Sequence, residues 1–94
     1  MDKKSRGKIL RICRLSPAGV TVEYLSNVLR KAGEDLVLQN IEENLAYLTD
    51  RRYLLREPLL DRLSGVHRVR YRITADGIDV AQGTTEDAGV IYVD

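Results

Sequence analysis

Three arginines at alternate positions, Arg68, Arg70 and Arg72 in the stretch RVRYRIT, are the residues whose type and spacing point most directly to chemistry. In an extended strand successive side chains point to opposite faces. The guanidinium groups therefore form a row on one side, and Val69, Tyr71 and Ile73 form an apolar row on the other. Such a row suits two purposes, a grip on phosphate anions or the solvated, charge-paired side of a half-buried strand. A hairpin folded symmetrically about Ser64–Gly65 sets Arg68 opposite Asp61 and Arg72 opposite Glu57. Pairs of that kind stabilise by roughly a few tenths of a kcal/mol each and neutralise two of the three arginines. A bulge at Pro58 shifts the second pair and frees Arg72. A second constellation is Gln39, Asn40 and Asn44. Carboxamides present a donor and an acceptor together, the combination that reading adenine requires. Glu42 and Glu43 lie on the same segment and repel phosphates, so an ordinary polar face also accounts for these residues.

Other chemistries are poorly provided for. A single histidine, His67, cannot anchor a multi-ligand zinc site, and a single cysteine, Cys13, cannot close an internal disulfide. His67 reads as an exposed polar residue beside a turn, and Cys13 as a small buried hydrophobe. There is no paired-carboxylate spacing, nucleophile motif or glycine-rich phosphate loop. The expectation is a protein that is not an enzyme and uses no cofactor or metal.

The 94 residues, 44% of them hydrophobic, suffice for one globular domain with a mainly aliphatic core. No apolar run approaches the ~18 residues of a membrane span, and the chain starts polar and basic, so a soluble, cytoplasmic protein is expected. The net charge of +1 argues against an indiscriminate polycation, but its distribution is uneven. Residues 1–14 carry six bases against one acid, and residues 15–50 two bases against six acids. Residues 51–72 carry seven arginines against two acids, and residues 73–94 five acids and no base. Alternating blocks describe an oriented field, or alternating solvated faces.

The elements that must position these groups follow from periodicity and punctuation. Ile9, Ile12 and Cys13, with Leu10 and Leu15 beside them, predict a first helix from Lys4 to about Leu15, ended by SPAG. Thr21 is an N-cap, with Glu23 suited to the helix dipole. Val22, Leu25, Val28, Leu29 and Ala32 form the buried stripe of a second helix, and Gly33 fits its left-handed C-terminal position. Leu38, Ile41, Leu45 and Leu48 define a third helix to about Arg52. A β-hairpin turns at Ser64–Gly65, and Thr74 caps a short last helix over about Ala75–Gln82. Residues 84–94 form an acidic tail in which VIYV is a closing strand or a sticky end.

Helix, helix, tight turn, helix, hairpin and short helix is the order of a winged helix-turn-helix domain. LAYLTDRRYLL, Leu45 to Leu55, resembles the end of the recognition helix and the entry to the wing in bacterial regulators of the ArsR, MarR and PadR kind. YRITADGIDVA, Tyr71 to Ala81, resembles their return strand and following helix. The likeness covers roughly residues 8–82. It is narrower to the small winged-helix proteins of Mu-like phages and prophages, through LAYL and the ending from Ile73 to Gly83. These families usually place Gly where Arg52 stands, so either Arg52 takes a strained positive φ or the helix ends differently.

The resemblance implies an α+β fold, with a three-helix core, a hairpin wing and a short C-terminal helix in residues 1–83. It also implies double-stranded DNA as the partner of a small phage or prophage regulator. Gln39, Asn40 and Asn44 would contact bases, and Lys3, Lys4, Arg6, Arg62, Arg68 and Arg70 would hold phosphates. Leu59, Leu60 and Leu63 are unexpected on a wing that only touches phosphate. They cover the domain's own core or, with Ile91 and Tyr92, form an apolar patch for a second copy, a homodimer being expected. The rival reading is a winged-helix module for protein–protein contact, for example in phage assembly, without DNA binding.

Overall fold

The computed structural model describes residues 2–34, 36–60, 63, 65 and 67–93, with Leu60 and His67 described by backbone alone. Its elements are α1 (Asp2–Arg14), α2 (Val22–Lys31), α3 (Leu38–Asp50), β1 (Leu54–Leu60), β2 (His67–Ile73) and α4 (Ala75–Ala81). Three helices followed by an antiparallel hairpin and a short fourth helix make this an α+β fold with a winged-helix layout. None of the described helices is long and apolar enough to cross a membrane.

One aliphatic core gathers Ile9, Leu10 and Cys13 of α1, Leu25 and Leu29 of α2, Ile41, Leu45 and Leu48 of α3, Leu54 of β1 and Val80 of α4. Each is one tooth of a helical or strand stripe, and burying each aliphatic side chain stabilises by about 1.5–3 kcal/mol. Burial pushes the Cys13 thiol up to about 12, as a cysteine packed as a hydrophobe should be. Val20 forms a bridge with Tyr71, so β2 lies between Val20 and β1 while β1 is an outer strand.

Local chemistry sets the helix ends. The Thr21 hydroxyl accepts from the Tyr24 N–H at 3.2 Å, and the Thr74 hydroxyl from the Gly77 N–H at 3.0 Å. After α2, Gly33 has φ 87°, and Glu34 N–H reaches back to the Leu29 carbonyl at 2.8 Å. After α3 the same reverse turn is made by Arg52 at φ 64°, with Tyr53 N–H donating to the Leu48 carbonyl at 2.9 Å. Arg52 thus takes the positive φ that a glycine would adopt without strain.

Several expectations need correction. Leu38 is 53% exposed: α3 starts with it, ahead of the packed ridge, where it lines a groove instead of the core. Ala32 and Leu15 also lie outside the core, at the exposed ends of their helices. The hairpin is not symmetric about Ser64–Gly65. Leu54 pairs with Ile73, Glu57 with Arg70, Pro58 with Val69 and Leu59 with Arg68, and the ladder runs through Pro58 without a bulge. Pro58 is tolerated because β1 is the outer strand. The register differs by two residues from the symmetric one, a shift that keeps every side chain on its expected face. VIYV forms no strand. Residues 84–93 instead run as a strap against α1, with Ile91 N–H donating to the Lys3 carbonyl at 3.0 Å.

Candidate nucleic-acid interface

The arginine row exists, but its members differ. Glu57 lies across from Arg70 and is shared by two guanidinium groups, Arg70 at 3.4 Å and Arg72 at 3.3 Å. The Arg70 stem lies across Gly19, where any Cβ would overlap it, so this arginine is half-buried and held on two sides. Arg72 is more exposed, and a pair of that kind is worth at most about 1 kcal/mol. Arg68 is exposed opposite Leu59. Together with Val69 it lines a groove whose other walls are Thr21, Val22 and Glu23 at the start of α2 and Leu38 and Glu42 on α3. Arg62, and the expected partner Asp61, lie outside the described residues.

On α3, Gln39 and Asn40 are exposed, and Gln39 donates to Glu43 at 3.2 Å. Glu42, Glu43, Ala46 and Asp50 complete the outward face, which therefore carries three carboxylates and no base. The helix begins after Val37 without a side-chain cap and without an acid in its first turn; the Val37 carbonyl accepts from the Asn40 N–H at 3.0 Å and the Ile41 N–H at 3.2 Å.

Asn44 is not part of that face. It is 2% exposed, and its amide oxygen accepts from Arg6 Nε at 3.1 Å. Arg6 also donates to the Gly89 carbonyl at 3.0 Å and stacks 3.8 Å above the Tyr47 ring. The expectation that Asn44 faces outward is therefore corrected, and Arg6 is committed inside the molecule instead of projecting to solvent. The strap holds Arg6 through the Gly89 carbonyl, and Arg6 in turn lies against Asn44. Lys3 and Lys4 are exposed at the start of α1 and do not line the groove with Arg68.

The strap is fastened by Asp87, whose side chain is 5% exposed. Its carboxylate accepts from Tyr53 Oη at 2.7 Å, Tyr47 Oη at 2.9 Å and the Gly89 N–H at 2.9 Å, and pairs with Arg51 at 3.3 Å. Burial alone would raise its pKa. The hydrogen bonds from Tyr53, Gly89 and Tyr47 and the Arg51 charge outweigh that and hold the carboxyl below the usual value. Burial, then the neighbouring carboxylate, pushes Tyr53 up to about 12 and moves Tyr47 in the same direction. Sequence reading did not single out Tyr47, Arg51, Tyr53 or Asp87 as a group. The local signal was Asp87-Ala-Gly89, a spacing at which an aspartate commonly bonds the backbone two residues on.

The proposed oligomer contacts are divided. Leu63 is fully exposed on the hairpin loop and Leu59 is half-buried on the arginine face, whereas Ile91 and Tyr92 belong to the strap, with Tyr92 against Gly83. The side chain of Leu60 lies outside the description. Comparison with protein-family models, curated proteins and solved structures gives no match.

Proposed function

We propose that this chain is a winged-helix DNA-binding protein, a small regulator of phage or prophage type that acts as a homodimer. The observation that carries the reading is the groove at which the start of α2, the start of α3 and the wing arginine Arg68 converge. In this reading Gln39 and Asn40 meet base edges, and Leu38 offers an apolar contact to a thymine methyl. Arg68 and Arg72, with Lys3 and Lys4, hold phosphates. Exchanging one Glu57 contact for a phosphate costs Arg72 little, because exposed pairs are weak. Leu63, Ile91 and Tyr92 supply exposed apolar surface for a second copy.

The test is fluorescence anisotropy with random duplex across a salt series. With two to four phosphate contacts, log K should fall against log salt with a slope of roughly −2 to −4. Arg68→Ala should weaken all sequences alike, and Asn40→Ala should change sequence preference. Absence of affinity at low salt refutes the reading.

A second reading, a protein-interaction module, is favoured by the three carboxylates on the outward face of α3. Under it Glu42→Gln with Glu43→Gln abolishes capture of a basic partner, whereas the same change strengthens duplex binding under the first reading.

A further inference from the structure

The stripe of α3 at positions 40, 44, 47 and 51 carries Asn40, Asn44, Tyr47 and Arg51 at steps of three and four, so the four share one side of the helix. Arg6 from α1 lies over the same ring as Arg51, at 3.8 Å and 4.9 Å from the Tyr47 centroid. Tyr53 adds a hydroxyl just past the helix. Two guanidinium groups, two phenols and two carboxamides on one surface form a far better nucleic-acid face than the acidic one beside it. That surface is occupied by the chain's own strap. The Asp87 carboxylate takes the Tyr47, Tyr53 and Arg51 donors, and the Gly89 carbonyl takes Arg6.

We propose that residues 84–93 are an intramolecular stand-in for a nucleic-acid backbone, covering a phosphodiester-binding stripe made by Arg6, Asn44, Tyr47, Arg51 and Tyr53. The inference rests on the DNA-binding reading and deepens it: duplex and strap compete for the same donors. A backbone phosphate has the charge and acceptor geometry to replace Asp87 at the two phenols and Arg51. Displacement also releases Arg6 from Gly89, so the open form gains two cationic contacts. Asn40, exposed at the leading end of the same stripe, links the covered surface to the part of α3 that is already open.

Two variants loosen the strap by unrelated means. Asp87→Asn removes the charge that holds the phenols and Arg51. Gly7→Ala places a methyl where the Ile91 carbonyl oxygen and the Val93 side chain lie, pushing the strap off α1 without altering any charge. Alanine also suits the interior of α1 better than glycine. Thermal unfolding checks that each variant is folded before its binding is compared. Apparent affinity scales with the fraction in the competent form, so each variant should bind random duplex about three- to tenfold more tightly than wild type. The salt slope should steepen by about 0.9 for each added phosphate contact. Adding Arg51→Ala to Asp87→Asn should remove most of the gain.

Hydrogen exchange on the wild-type protein gives a readout that needs no substitution. The Ile91 amide should exchange faster when duplex is added, because its acceptor is the Lys3 carbonyl of α1, from which the strap must lift. If wild type binds, but neither variant binds more tightly and this amide keeps its protection, the strap is a structural closure and the inference fails. If neither wild type nor variants bind at low salt, the DNA-binding reading falls, and the inference with it.

Discussion

Replacing Asp87 by alanine should destabilise the fold more than any other single change at its surface. The carboxylate accepts three hydrogen bonds of 2.7–2.9 Å, two from phenols and one from a backbone amide, and pairs with Arg51 at 3.3 Å. Hydrogen bonds to a charged group contribute roughly 1.5–3 kcal/mol each, but they are not additive, since both phenols can turn to water once the strap loosens. The Arg51 pair is half-exposed and adds little. A loss of about 2–4 kcal/mol is therefore expected, equivalent to a fall of about 10–25 °C in Tm for a domain of this size. Urea denaturation measures the loss, with exposed Glu86→Ala as a control expected to stay within about 0.5 kcal/mol. The sign with pH is fixed by the lowered folded pKa. An aspartate that binds its proton less readily in the fold than in the unfolded chain contributes stability above the ordinary value of 3.8 and loses it as pH falls through the lower folded value. The difference between wild type and Asp87→Ala should thus be constant at neutral pH and shrink in acid. Arg51 faces the carboxylate directly, and Arg6 stacks on the same Tyr47 ring. A loss below about 0.5 kcal/mol, or a difference that persists unchanged in acid, would refute the clamp.

Four further outcomes are expected. Arg52→Gly should stabilise by about 0.5–1 kcal/mol in chemical denaturation, since relief of the positive φ exceeds the entropy gained by the unfolded chain. Thr74→Ala should cost about 1–2 kcal/mol and Thr21→Ala about 1 kcal/mol, because the Thr74 hydroxyl also donates to the Arg52 carbonyl at 2.7 Å; equal losses would contradict this. Under the DNA-binding reading, Glu57→Gln should free the Arg70 head group and steepen the salt slope for duplex by about 0.9, measured by anisotropy, Arg72 being already able to exchange its contact for phosphate. In ultraviolet titration one tyrosine should ionise near 12, a step that Tyr53→Phe removes. Because that pKa is raised on folding, the associated stability is present below the unfolded value of 10.0 and lost as pH climbs through the folded one.

The parts of this fold that could be read from the chain are those decided by neighbours in sequence. Thr21, Gly33 and Thr74 cap their helices through bonds spanning three to five residues, and the ridge Ile41–Leu45–Leu48 needs only a helical period. The hairpin was legible as a hairpin, yet its register was not. Alternation repeats every two residues and cannot distinguish Glu57 opposite Arg72 from Glu57 opposite Arg70. The candidate site was legible where exposure follows from the helix alone, as at Gln39 and Asn40. It was illegible at Asn44 and Arg6, which bond each other across 38 positions, and Arg6 bonds Gly89 across 83. No local pattern specifies which polar residue a distant tail will cover.

The charge blocks acquire a different meaning once the contacts are known. Lys8 pairs with Glu34, joining the first basic block to the first acidic one, and Arg51 pairs with Asp87, joining the second basic block to the acidic end. Arg6 is bound into the strap, and Glu57 occupies Arg70 and Arg72 within their own block. Alternation along the sequence has become adjacency in space for five of the fifteen cationic side chains, Arg6, Lys8, Arg51, Arg70 and Arg72. Under the DNA-binding reading, loosening the strap frees two of these, Arg6 and Arg51, and the salt slope should steepen by about 2. An unchanged slope in Asp87→Asn would mean that Arg6 and Arg51 already give way to phosphate in the wild-type protein, and that Asp87 holds the strap less firmly than its four partners indicate.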